Sequence, residues 1–164
     1  MKKLLSIVLV IAMMFALAAC GGEKVDDSVV TLKDDAALQK ASGVTLIAPA
    51  DAVDPHYATV ELAGIENKVA QADFTFDGNK CVLRKVAGDF SLSTLDAMKF
   101  DHDETVEVDG LTVRLRYNDA SAAAIASTIA VADCFDGTHS YCAILMQNGT
   151  KDNVLELITA SIGQ

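Results

Sequence analysis

A chain of 164 residues, 51% of them apolar and 22% charged, has the material for one domain with a sizeable core, since a chain near this size buries roughly 70% of its unfolded surface. Its 23 acids outweigh 13 lysines and arginines, so the net charge is -10, phosphate backbones repel it, and nucleic acid is excluded as a partner. Trp is absent, and only Tyr57, Tyr117 and Tyr141 offer amphipathic rings, which disfavours a sugar-binding role.

The chain opens with Lys2 and Lys3, followed by an uncharged apolar run from Leu4 to Leu17. A basic start, a short apolar stretch and small residues before a cut site describe a secretory signal, too short for a membrane span of ~20 residues. The run ends Leu17-Ala18-Ala19-Cys20, which resembles the bacterial lipobox at all four positions. That resemblance implies that residues 1–19 are removed as a signal peptide and that the Cys20 thiol carries a diacylglycerol thioether. Lipid chains gain ~0.8 kcal/mol per buried methylene, and two chains hold firmly where one does not. The expected location is the extracytoplasmic side of the cell membrane, with the membrane as a partner through Cys20. Loss of residues 1–19, which hold two lysines and no acid, takes the charge from -10 to -12. Residues 20–30, rich in Gly and charge, read as a lipidated tether, and residues 31–164 as a single domain.

Within that domain Thr31-Leu32-Lys33-Asp34 supplies a cap residue with an acid three places on, and Gly43 a stop, which predicts a short amphipathic helix. Strands are expected near Val44 to Ile47 and Tyr57 to Ala63. Asp-Gly then occurs at 77–78, 109–110 and 136–137, each time between strand-like runs, and tolerates the positive φ angles of a two-residue type I′ turn. A turn at Asp77-Gly78 pairs Phe74 with Cys81 and Ala72 with Leu83 on one face, with Gln71 opposite Arg84 on the other. A turn at Asp109-Gly110 pairs Val108 with Leu111 and Val106 with Val113, leaving Glu107 opposite Thr112 and Thr105 opposite Arg114. Both registers separate apolar from polar faces, as a half-buried sheet requires.

The third hairpin puts Ile129, Val131, Phe135, Cys142 and Ile144 on one face and Ala130, Ala132, Cys134, Tyr141 and Leu145 on the other. Both faces are apolar, which predicts cover on both sides, the terminal helix being one cover. Leu92 to Phe100 fits a helical turn or a loop. Thr150 caps a last helix whose Val154, Leu155, Ile158 and Ile162 form one stripe, suited to lying on a sheet. The fold class is therefore α+β: a mainly antiparallel sheet of about seven or eight strands built from Asp-Gly hairpins, with an N-terminal and a C-terminal helix.

The succession "FTFDGNKCVLRKVAGDFS", "VEVDGLTVRL", "FDGTHSYCAIL" and a capped helix ending "ITASI" resembles a group of small uncharacterised surface lipoproteins of Gram-positive bacteria. Their domain of unknown function also occurs outside the membrane on anti-sigma-factor-like proteins. The resemblance implies an antiparallel sheet curved around a helix, distantly like periplasmic lipoprotein carriers, and implies no catalytic residues and no cofactor.

Catalytic motifs are missing from the sequence. It contains no Gly-x-Ser-x-Gly elbow, His-Glu-x-x-His helix, phosphate loop or Cys-x-x-Cys pair. Asp101-His102-Asp103-Glu104 is the dense polar cluster, but an extended chain puts His102 and Glu104 on one face and Asp101 and Asp103 on the other, too few ligands for a metal on either. His56 and His139 sit at turn-like positions, and Asn148-Gly149-Thr150 reads as a turn before a cap rather than a sugar acceptor. With Cys20 lipidated three cysteines remain. Cys134 and Cys142 point to opposite faces, so Cys81 and Cys142 are the candidates for a disulfide. The expected function is a non-enzymatic binding, sensing or structural module of the cell envelope, with an envelope protein or an apolar ligand as partner. The alternatives are a carrier holding a lipid in a cleft lined by Phe74, Phe76, Val113, Leu115 and Ile158, and a secreted hydrolase or metalloenzyme.

Overall fold

The computed structural model describes residues 29–119 and 128–162; Cys20, the signal segment and residues 20–28 of the expected tether lie outside the described residues. The strands are β1 (Val29–Leu32), β2 (Val53–Val60), β3 (Val69–Phe76), β4 (Asn79–Ala87), β5 (His102–Val108), β6 (Leu111–Tyr117), β7 (Ala130–Phe135) and β8 (His139–Leu145). Helix α1 (Asp35–Ser42) follows β1, and α2 (Lys151–Ser161) follows β8. The strands form one sheet in the order β1-β2-β3-β4-β8-β7-β6-β5, every neighbouring pair antiparallel. Two four-stranded meanders are thus joined along β4 and β8.

The first two Asp-Gly turns have the register their sequences dictate. Phe76 pairs with Asn79 and Val108 with Leu111, and Asp77, Gly78, Asp109 and Gly110 all have positive φ, as a type I′ turn demands. The third turn lies one residue further on. Asp136 N–H donates to the His139 carbonyl at 3.1 Å, so Gly137 and Thr138 occupy the two central positions and only Gly137 has positive φ. That is the glycine placement of a type II′ turn. The Asp136 carboxylate also accepts from the N–H of Thr138 and His139, at 2.8 and 2.7 Å, which holds it at the turn entrance.

Four local expectations are corrected. Residues Val29 and Val30, read as tether, belong to β1, and α1 is capped by Asp34, whose side chain accepts from Ala37 N–H at 2.8 Å, not by Thr31. Val44 to Ile47 forms no strand. Val44, Leu46 and Ala48 alternate inward as a strand would, but they pack on the sheet without a ladder partner. The second strand begins at Val53 and ends at Val60, before Ala63.

Side-chain alternation gives the sheet two buried faces. On the first, Ala70, Ala72, Phe74, Cys81, Leu83, Val113, Leu115, Ala132 and Leu145 pack with Leu38 of α1 and with Val154, Leu157 and Ile158 of α2. Thr150 Oγ1 accepts from Asn153 N–H at 3.2 Å to start α2, which lies across β6, β7 and β8. On the second, Val60, Val69, Val82, Val86, Val131, Cys142 and Ile144 pack under Phe90, Leu92, Leu95 and Phe100. Those last four belong to residues 88–101, the connection from β4 to β5. It has neither helix nor strand and passes over the sheet as a strap, because β5 lies at the far edge beyond β8, β7 and β6.

Candidate functional site

The register of the sheet aligns polar residues on the second face into a belt. Thr105 pairs with Arg114, Arg114 with Asp133, Asp133 with Cys142, Cys142 with Arg84 and Arg84 with Gln71. One row nearer the other end of the strands stand Asp103, Arg116 and Asp73. Each guanidinium is engaged. Arg84 donates from Nε to Gln71 Oε1 at 2.9 Å and from Nη1 to the Leu92 carbonyl at 2.9 Å. Gln71 in turn donates to both carboxylate oxygens of Asp73, at 3.2 and 3.0 Å. Burial pushes the Asp73 carboxyl up, against the opposing pull of Gln71, Arg84 and His56. Arg114 grips Asp103 with a two-pronged pair, at 2.8 and 2.6 Å.

Arg116 is the deepest charge of the belt. Its side chain is 5% exposed, and it donates to Asp96 Oδ1 of the strap at 2.7 Å and to Asp133 Oδ2 of β7 at 2.8 Å. The ring of Phe100 lies 5.5 Å from its guanidinium carbon. Burial would lower the Arg116 pKa, but the two carboxylates outweigh it and the net direction is up. Among the described residues, Arg116 Nε and Asp133 Oδ1 are buried without a hydrogen-bond partner, so the fork between these two side chains is closed on one prong only. Ser140 completes the fastening: it accepts from Phe90 N–H and donates to the Gly88 carbonyl, both at 2.8 Å. The belt therefore stitches the strap to the sheet through ion pairs and backbone contacts.

The first face carries a second cluster at its other end. Lys85 is 5% exposed, with its ammonium 4.9 Å from the centre of the Tyr141 ring. Tyr141 Oη donates to Asp136 at 2.9 Å, and His139 meets the Tyr141 ring edge-on. Burial lowers the Lys85 pKa and Asp136 opposes the shift. This is a cation held on a ring beside a carboxylate.

The acidic cluster at the entrance of β5 divides between the faces as an extended chain requires. Asp103 turns to Arg114. Glu104, on the helix side, accepts from Tyr117 Oη at 3.0 Å and pairs with Lys151 at 2.6 Å, and these partners hold its carboxyl below the usual range. His102 stacks on Tyr117 and pairs with Asp119 at 3.0 Å, and the Asp101 carboxylate accepts from Asp119 N–H. Among the described residues no three of His, Cys, Asp or Glu converge on one point as metal ligands. Neither is any described helix long and apolar enough to cross a membrane.

Cys81, Cys134 and Cys142 are free and buried. The expected link between Cys81 and Cys142 is corrected by the register: Cys81 pairs with Leu145 while Cys142 pairs with Arg84, so the two thiols stand on opposite faces. Burial pushes the Cys81 and Cys134 thiols up to about 12 and the Cys142 thiol well above its ordinary value, beside Asp133. A thiol that holds its proton is neither nucleophile nor metal ligand at neutral pH. The five side chains named for an open cleft, Phe74, Phe76, Val113, Leu115 and Ile158, are all buried in the cluster between sheet and helices.

No protein-family model, curated protein or solved structure matches this chain.

Proposed function

We propose that the chain is a lipoprotein of the bacterial cell envelope, held on the extracytoplasmic side of the membrane by lipid on Cys20, whose folded part is a non-enzymatic module that meets its partner at the outer surface. The observation that carries the anchor is Leu17-Ala18-Ala19-Cys20 at the end of an uncharged run behind two lysines. The side chains of the folded part support the rest. Arg84, Arg114 and Arg116 are committed to fastening the strap and the edge strand, the thiols hold their protons, and the apolar interior is packed between sheet and helices. An apolar ligand would have to displace that packing, which interiors resist.

The experiment is metabolic labelling with a fatty acid in cells making the full chain or its Cys20→Ala variant. Label on the parent and none on the variant, with unprocessed precursor accumulating, is expected. Label that persists on Cys20→Ala contradicts the anchor. Stoichiometric lipid held non-covalently by the purified folded part, read by native mass spectrometry, contradicts the packed interior and favours a carrier.

A further inference from the structure

Among the described residues the sheet ends in two edges, β1 and β5, and they are protected differently. Strand β5 reads His102-Asp103-Glu104-Thr105-Val106-Glu107-Val108, with Asp101 before it and Asp109 after it. A row of carboxylates along an edge repels an added strand. On the opposite side β1 covers only Tyr57–Val60 of β2, so Val53–His56 also lie open. There Pro55 removes a donor, Asp54 has a φ of 56°, and the register shifts between Val53 and His56. Proline and an irregular register close an edge as well as charge does. Strand β1 has none of these guards. Val29-Val30-Thr31-Leu32 holds no charge, no proline and no bulge, and Val29 and Val30 are 43% and 50% exposed.

We propose that the free edge of β1 is the docking site for a second copy of this chain, paired antiparallel about Thr31. A twofold axis between antiparallel strands passes through one residue and its own copy. Centred on Thr31, it sets Thr31 against Thr31 of the second copy and Val30 against its Leu32 on both sides. A threonine pair flanked by two pairs of apolar residues is a favourable cross-strand set, and no like charges face each other within it. Pairing β1 with the β5 edge of another copy would instead set an uncharged strand against one bearing Asp103, Glu104 and Glu107, with no cation in Val29–Leu32 to meet them.

The course of the chain outside the structure fits the twofold arrangement. Twenty-eight residues precede Val29, and they leave from β1 itself. In the pair the two Val29 residues stand roughly 13 Å apart along the ladder, four residues at ~3.3 Å each. Cys20 is nine positions before Val29, a reach of at most ~30 Å. Both anchors therefore reach one membrane from a pair whose axis stands between them. A ladder this short buries little area, so it is weak in dilute solution and gains from copies confined to one surface. That gain and the reach to a shared membrane rest on the proposed anchor; the strand pairing itself does not. Because each copy without residues 1–19 carries a net charge of -12, added salt should strengthen the pairing.

The test is oxidative cross-linking of the full chain in its membrane. Thr31 is exposed, so Thr31→Cys leaves the core intact and puts two thiols directly opposite each other at a disulfide-compatible spacing. The native described cysteines are buried and do not compete. Thr31→Cys is expected to form a dimer of doubled mass, several-fold beyond Thr105→Cys on the β5 edge and Val53→Cys on the β2 overhang. Cross-linking of Thr31→Cys no greater than these controls overturns the proposal, and a Thr31→Cys adduct to a protein of different mass assigns the edge to another occupant. If the parent chain takes up no labelled fatty acid, the anchor fails separately. The pairing is then judged in concentrated solution at high salt, where Thr31→Cys must still exceed both controls or the proposal falls.

Discussion

Replacing Asp133 by Asn should destabilise the fold far more than replacing Asp96, although both carboxylates bind the same arginine. Arg116 is 5% exposed, Asp133 20% and Asp96 60%. Removing one partner of a buried ion pair costs about 3–5 kcal/mol, because the other charge stays buried without compensation. Asp133 keeps some water and Arg116 keeps Asp96, so the loss falls below that range, at about 2–3 kcal/mol. Asp96 sits at the surface, where an ion pair contributes about 0.2–1 kcal/mol. A domain of this size loses about 3–5 °C of melting temperature per kcal/mol, so Asp133→Asn should melt roughly 6–15 °C below the parent and Asp96→Asn within about 5 °C of it. Thermal and urea unfolding followed by circular dichroism, on chains starting at Gly21, measure both. Replacing the pair together, Arg116→Met with Asp133→Leu, should restore most of the loss, since an apolar pair of similar volume has no charges to bury. Equal losses from Asp133→Asn and Asp96→Asn would refute the view that the strap is fastened to a buried charge.

The turn at Asp109-Gly110 requires positive φ at both residues, so Gly110→Val should cost about 1 kcal/mol or more in urea titrations, although no atom stands near the new side chain. Native protein should resist thiol reagents at Cys81, Cys134 and Cys142 until it unfolds; modification of any of them at native rates would contradict their burial. At Asp136 burial alone would raise the pKa, but the His139 and Thr138 N–H groups and Tyr141 Oη outweigh it and the net direction is down. A carboxyl lowered on folding stabilises the fold above its unfolded value and loses that contribution as pH falls through the lowered one. Asp136→Asn should therefore flatten the acid limb of the stability curve below the usual carboxylate range, and an unchanged limb would show that other acids control it.

Local chemistry wrote the parts of the fold that were legible. Two hairpins follow from Asp-Gly and alternation alone, and Thr150 starts α2 with the cap its side chain provides. The third hairpin keeps its face assignment because a turn moved by one residue shifts both strands together, even though Gly137 rather than Asp136 opens it. Val44 to Ile47 misleads because alternation reports burial, not ladder partners. The polar belt was half visible, in Gln71 opposite Arg84 and Thr105 opposite Arg114. Its completion depends on β4 lying beside β8, a contact between residues some sixty positions apart that no local pattern encodes. The same long-range pairing decides that the strap crosses three strands and that Cys81 and Cys142 face away from each other.

The most direct measurement is the intact mass and N-terminal sequence of the mature protein taken from the membrane fraction of a bacterium that expresses the full chain. A chain starting at Cys20 is expected, with a mass that exceeds that of residues 20–164 by a diacylglyceryl group, with or without a further acyl chain on its amino group. A chain that keeps Met1, or one cut elsewhere with an unmodified Cys20, would contradict the anchor.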